Sequence, residues 1–175
     1  FGLFYEGMNH CFIGDNYSYN RYSYVMKNVT GDGGSDNLIY IPTVDELKGM
    51  PFSSDQNRDE YEAFISADKY LSKHRGEYSK RGIFNAPWQN RFNFKFVQDI
   101  NFNTNHAKIH TIQIGLDINN IGNLLNSKWG LTDRLSSEQI LKYEDGKYTF
   151  TAPKWTKWEG TYSTWSMLVS LRYFF

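Results

Sequence analysis

Lys108-Ile109-His110-Thr111-Ile112-Gln113-Ile114-Gly115-Leu116-Asp117-Ile118-Asn119-Asn120 is the stretch that decides the fold. Ile112, Ile114, Leu116 and Ile118 take every second position, and Thr111, Gln113, Gly115, Asp117 and Asn119 take those between. Neighbouring side chains of a strand point to opposite faces, so a period of two predicts a strand with one apolar and one polar face. Arg91 to Phe102 repeats the pattern. Phe92, Phe94, Phe96, Ile100 and Phe102 share a face that only Gln98 interrupts, against Arg91, Asn93, Lys95, Asp99 and Asn101, with Val97 out of place. Thr164 to Phe175 does so again, setting Trp165, Met167, Val169, Leu171, Tyr173 and Phe175 against Thr164, Ser166, Ser170 and Arg172.

Length separates two homes for such strands. Each segment runs to about 12 residues, against about 5–6 for an ordinary soluble strand and about 9–11 tilted residues to cross a bilayer in a barrel. No apolar run reaches the roughly 18 residues of a transmembrane helix. A mean hydropathy of −0.61 combined with 18% aromatic residues suits strands that give only alternate residues to lipid and place rings at the boundary. The expected fold class is all-β: antiparallel strands of a transmembrane outer-membrane β-barrel, with short helices in a long extracellular loop. The 19 basic and 19 acidic residues among 175 leave no net charge to recruit nucleic acid.

Connections alternate in length. Asn103-Thr104-Asn105-His106-Ala107 is a short polar turn, whereas about 40 residues separate the second and third segments, as periplasmic turns and extracellular loops do. With Phe175 on the periplasmic side, the last strand descends, Lys108–Asn120 ascends and Arg91–Phe102 descends. Phe1–Tyr5 and Tyr17–Met26 are expected as the outer part or an extension of a further strand, with Tyr17, Tyr19, Tyr22 and Tyr24 as an interfacial girdle. The expected division is membrane strands at about 1–26 in part, 91–102, 108–120 and 163–175, and extracellular loops at about 27–89 and 121–163. Phe92, Phe94, Phe96, Ile112, Ile114, Leu116, Ile118, Trp165 and Met167 form the expected lipid-facing set. In the first loop, residues 28–37 are dense in turn formers and predict an exposed loop. Thr43-Val44-Asp45-Glu46 reads as a capping box opening a helix that Gly49 and Pro51 end. Tyr61, Phe64, Ile65 and Leu71 predict a second helix from about Asp55 to His74.

Catalytic motifs are lacking: there is no nucleophile elbow, P-loop, dinucleotide-binding glycine cluster or zinc-binding cysteine set. No enzyme, catalytic residue, metal ligand or cofactor is expected. His106 and His110 have helical metal spacing but fall in a hairpin and at a strand start. Asp32 and Asp36 lie in an oxygen-rich, glycine-broken loop that lacks the ligand spacing of an EF-hand, so turn chemistry is the plainer account. The basic segment Lys69 to Arg81, with His74, either faces an anionic ligand such as lipopolysaccharide or is a solvated surface, and the latter is simpler. Trp129, Trp155, Trp158 and Trp165 offer flat faces for sugars, though interfacial anchoring explains Trp165 more simply. Asn16-Tyr17-Ser18 and Asn28-Val29-Thr30 match a glycosylation sequon that arises often by chance. Cys11 alone excludes an internal disulfide. Phe1-Gly2-Leu3-Phe4-Tyr5 shows no signal peptide, and the chain is expected to begin mid-protein.

Three stretches carry a resemblance: Ala86-Pro87-Trp88-Gln89-Asn90-Arg91-Phe92-Asn93, Leu116 through Asn126, and the terminal Leu171-Arg172-Tyr173-Phe174-Phe175. Together with Asp36–Pro42 and Tyr70–Gly76, they resemble the C-terminal barrel of TonB-dependent receptors of Bacteroidota, especially the Oar-like group with a carboxypeptidase-regulatory-like domain. The resemblance implies a parent barrel of about 22 strands with an N-terminal plug, in the outer membrane of a Gram-negative cell. It implies TonB-energised uptake of a large nutrient, with substrate-binding residues unassigned. Implied partners are the remaining barrel and plug, TonB through that plug, outer-membrane lipid, a surface lipoprotein, and the β-barrel assembly machinery, which would read Val169, Leu171, Tyr173 and Phe175. A soluble β-rich glycan-binding module is the alternative from another class. A small outer-membrane barrel adhesin is the third, and it needs about eight strands or more.

Overall fold

The period-two segments become one antiparallel sheet. In the computed structural model, which describes residues 1–14, 17–28, 33–104 and 108–175, the strands Gly2–Asn9, Trp88–Thr104, Lys108–Asn119 and Ser166–Phe174 lie side by side in that order. Strands make up 49% of the chain and helix 17%, so the protein is mostly β. The register aligns like with like: Leu3 faces Phe94, Phe94 faces Ile118, and Ile118 faces Met167. Because a one-residue slip would move every apolar side chain to the polar face, this alignment is what the alternation specifies. Trp88–Thr104 outruns the expected Arg91–Phe102 at both ends. Asn9 pairs with Trp88 and Asn119 with Ser166, so both long insertions leave and return at one end of the sheet.

The chain divides into two units. Residues 1–9, 88–133 and 157–175 form the sheet unit, and residues 10–87 and 134–156 form the second. The second unit corrects several expectations. Residues 27–89 are not simply an exposed loop, since Ile39, Ile41, Leu47, Tyr61, Ile65 and Leu71 fill a core with Leu135, Ile140, Leu141 and Phe150. Tyr22 and Tyr24 do not belong to a girdle: they are buried in that core and pack edge to face at 5.5 Å. Tyr17–Tyr19 is a short strand paired with Cys11–Ile13, not an extension of the first long strand. Val25–Lys27 is flanked by Asn37–Leu38 and, in parallel, by Gln139–Glu144. That last strand turns through Asp145-Gly146 into Lys147–Phe150, with φ of 51 and 74, as a two-residue hairpin turn demands. Residues 15, 16, 29–32 and 105–107, and with them Asp32, His106, part of the 103–107 turn, Asn16 of the first sequon and Val29 and Thr30 of the second, lie outside the described residues.

Helix α1, Val44–Gly49, opens on the capping box: Glu46 N donates to Thr43 Oγ1 at 3.3 Å, and Thr43 N donates to Glu46 Oε2 at 2.8 Å. Helix α2, Asp55–Ala67, stops before the expected His74. Asp68 ends it, because its Oδ1 accepts from the amides of Tyr70 and Leu71 at 2.8 Å each, diverting the donors that would continue the helix.

The basic segment contributes to this fold. Arg75 donates from both Nη atoms to Glu62 (2.5 and 3.0 Å) and also to the Pro42 carbonyl at 3.1 Å. Burial pushes the Glu62 carboxyl up, but hydrogen bonds from Arg75 and Ser66 and the Arg75 charge outweigh it and hold the group below its ordinary 4.5. A carboxyl depressed in the folded state contributes stability above its unfolded value, which is lost as pH falls through the folded one. Arg75→Met is expected to lower stability by about 1.5–3 kcal/mol at pH 7. The gap to the parent protein should narrow in thermal unfolding below about pH 4; a gap independent of pH contradicts the assignment.

Candidate functional site

One face of the four-stranded sheet is apolar along its length except at Gln98. Its rows run Leu3–Phe94–Ile118–Met167, then Phe96–Leu116–Val169, then Gln98–Ile114–Leu171, then Ile100–Ile112–Tyr173. The middle of this face is open: Ile114 is 38% exposed, Val169 64% and Leu171 74%. Ile118, at 8%, is buried, and Phe94, Phe96, Ile112 and Leu116 are half-buried. Aromatic rings bound the face at both ends. At the insertion end, Tyr5 and Phe92 meet at 5.2 Å, with Trp165 just beyond the last strand. At the other, Phe102, His110, Tyr173 and Phe175 stack in succession, and the Tyr173 hydroxyl bonds His110 Nδ1 at 2.6 Å. Val169, Leu171, Tyr173 and Phe175 thus share this face on an edge strand.

The opposite face carries a polar ladder. Lys95 and Asp117 pair at 3.1 Å, Gln113 Nε2 donates to Asp99 at 2.9 Å, and Thr111 Oγ1 donates to Asn101 Oδ1 at 2.7 Å. Each bond joins residues in cross-strand register, so the ladder fixes the same alignment as the apolar rows.

At the insertion end a buried polar corner shapes the loops of this unit. Asn120, left-handed at φ 53, turns the third strand into α3, Ile121–Leu125. Its Nδ2 donates to the carbonyls of Ser163 at 2.7 Å and Gly130 at 3.2 Å, while its backbone amide donates to Asn93 Oδ1 at 2.9 Å. Gln89 Nε2 and the Arg91 guanidinium both donate to Thr132 Oγ1, at 2.8 and 3.1 Å, and Arg91 also reaches the Tyr162 carbonyl. Asn123 ties down Trp129 through its carbonyl and Trp165 through its amide. Gly130 admits no side chain here, because a Cβ would sit 2.1 Å from Asn120 Oδ1 and φ is +64. These residues escaped a reading by period, which ignores the ends of strands. The Asn119-Asn120 pair after a clean strand was the available signal.

Two clefts open at this corner. The larger, about 300 Å³, is lined by Trp88, Asn90, Phe92, Asn120, Lys128, Trp129 and Lys157. The second, about 250 Å³, lies on the polar side among Glu6, Arg91, Asn93, Asn119, Thr161 and Tyr162. Trp155, in contrast, packs edge to face on Tyr22 at 5.6 Å. Among the described residues no group of three or more His, Cys, Asp or Glu side chains is placed to hold a metal ion, and no helix is long and apolar enough to cross a membrane. Neither statement bears on strands. Compared with protein-family models, curated proteins and solved structures, the chain finds no match. Two of the stretches that carry the receptor resemblance meet at the corner, one supplying Gln89, Arg91 and Asn93, the other Asn120 and Asn123.

Proposed function

We propose that this chain is the C-terminal part of an outer-membrane β-barrel of the TonB-dependent receptor kind, serving energised uptake of a large nutrient. The observation that carries the reading is the open apolar face bounded by aromatic rings. From the Phe92 row to the Phe102 row is ten residues, about 34 Å along a strand at ~3.4 Å each. Tilted by about 45°, that span is roughly 25 Å high, the height of the lipid-facing band of such barrels. The face is four strands wide at the Phe94 row and three at the next rows, about 14–19 Å at ~4.8 Å spacing, so its area of about 500 Å² is in the upper part of the roughly 300–600 Å² of the largest patches on soluble monomers. Hydrocarbon is the solvent such a surface needs.

The polar ladder then faces the lumen, and the two edge strands call for closure by the other strands of a longer barrel. Four strands fall short of the about eight of a small complete barrel. The terminal edge strand, with Val169, Leu171, Tyr173 and Phe175, suits edge pairing with the assembly machinery. Both insertions depart from the end opposite the short turn, which this reading places outside the cell, where they serve substrate capture. The plug, TonB and a surface lipoprotein are partners of the parent protein in this reading.

Fractionation of cells producing the full-length protein tests it. The protein is expected in the outer membrane, resistant to alkaline carbonate, with a heat-dependent shift in gel mobility. Recovery in the soluble fraction overturns the proposal and favours a water-soluble binding module.

A further inference from the structure

Resting on that reading, we propose that the cleft between Trp88 and Trp129 seats a phosphate group of a phosphorylated glycolipid of the outer leaflet, with Lys128 and Lys157 as its cationic contacts. The cleft starts where the apolar face stops. Trp88, Asn90 and Phe92 alternate on the same face of their strand as Phe94, and Phe92 and Asn120 both line the cleft. Acyl chains lying along the rows below would therefore bring their headgroup to the cleft. Trp88 and Trp129 are both more than half exposed, and indole rings sit at the headgroup level of a bilayer. The Trp88 indole N–H donates to Asn90 Oδ1 at 3.1 Å, which the Tyr5 hydroxyl also reaches at 2.9 Å, so that wall is fixed. Lys157 pairs with Asp133 at 2.8 Å, which leaves one net positive charge among the three groups, and an anion in the cleft complements it. Neutral sugar alone would leave that charge without a counterpart.

The test uses the full-length protein in phosphatidylcholine vesicles, titrated with diphosphorylated lipid A, its dephosphorylated form and inorganic phosphate. Diphosphorylated lipid A is expected to bind at least tenfold more tightly than the dephosphorylated form, with K128Q weakening it about fivefold and K128Q/K157Q more. Both variants should still insert and shift on heating. Unchanged lipid affinity in an inserted K128Q/K157Q protein overturns this inference and leaves the barrel standing. Equal binding of both lipid forms, or of inorganic phosphate as tightly as lipid, also overturns it. Failure of the parent protein to insert removes the barrel reading itself.

Discussion

Replacing Ile114 by arginine is expected to destabilise the inserted protein by about 2–4 kcal/mol, the cost of a guanidinium at the bilayer midplane. Ile114 sits in the Gln98–Ile114–Leu171 row, midway between the aromatic ends. Its neighbour Gln113 projects to the polar face, where Asp99 accepts from it and Arg172 approaches at 3.5 Å. Gln113→Arg is therefore expected to cost little beyond that lost hydrogen bond, about 1 kcal/mol. The contrast decides between solvents. Were the apolar face in water, a partly exposed isoleucine could become arginine within about ±0.5 kcal/mol. Urea unfolding of the full-length protein from thin phosphatidylcholine vesicles measures the difference, and equal stabilities for parent and I114R would sink the hydrocarbon assignment. Gln98 is the natural exception in this row, and its amide donates to the Asp99 carbonyl at 2.9 Å, reducing what it would leave unsatisfied in lipid.

What the sequence disclosed follows from the range of the interactions. Alternation over a long segment is set by a single surface, so Ile112 to Ile118 revealed their strand and its faces before any partner was known. The capping box at Thr43 and Glu46 closes within one helical turn and was equally legible. Residues 10–41 were not, because their strands are two or three residues long and pair with partners far along the chain, as Val25–Lys27 does with Gln139–Glu144. Tyr22, Ser23, Tyr24, Val25 and Met26 are all buried, and they show no period for that reason. Tyrosines in that run look like membrane anchors until the core that surrounds them is known. The end of α2 was hidden in the same way: Leu71 keeps helical spacing from Phe64, but the Asp68 carboxylate changes the backbone between them. Beyond the Asn119-Asn120 signal, the polar corner depends on side-chain amides meeting loop carbonyls about 40 residues away, Gln89 that of Gly130 and Asn120 that of Ser163, which no local pattern encodes.

The second unit draws its core from two insertions, and Phe150→Ala is expected to show that they fold as one body. Phe150 is 4% exposed and packs its ring against Tyr61 at 5.1 Å and Phe64 at 5.3 Å, both on α2. The backbone of the same residue is held by Asn57, whose Oδ1 accepts from Phe150 N at 2.7 Å and whose Nδ2 donates to Phe150 O at 2.8 Å. A side-chain amide thus imitates a strand neighbour where α2 meets Lys147–Phe150. Removing a buried phenylalanine ring costs about 3–5 kcal/mol, a large part of the stability of a body this size. Asn57→Ala should cost about 1–3 kcal/mol, since it strands a buried donor and acceptor without opening a comparable cavity. Because the core residues around Phe150 belong to the second unit, the loss should appear as faster proteolysis within residues 10–87 and 134–156 alike. Protection of the four-stranded sheet should persist in hydrogen exchange. Cleavage confined to residues 134–156 in F150A would mean that the first insertion holds its structure without the second, contrary to a shared core.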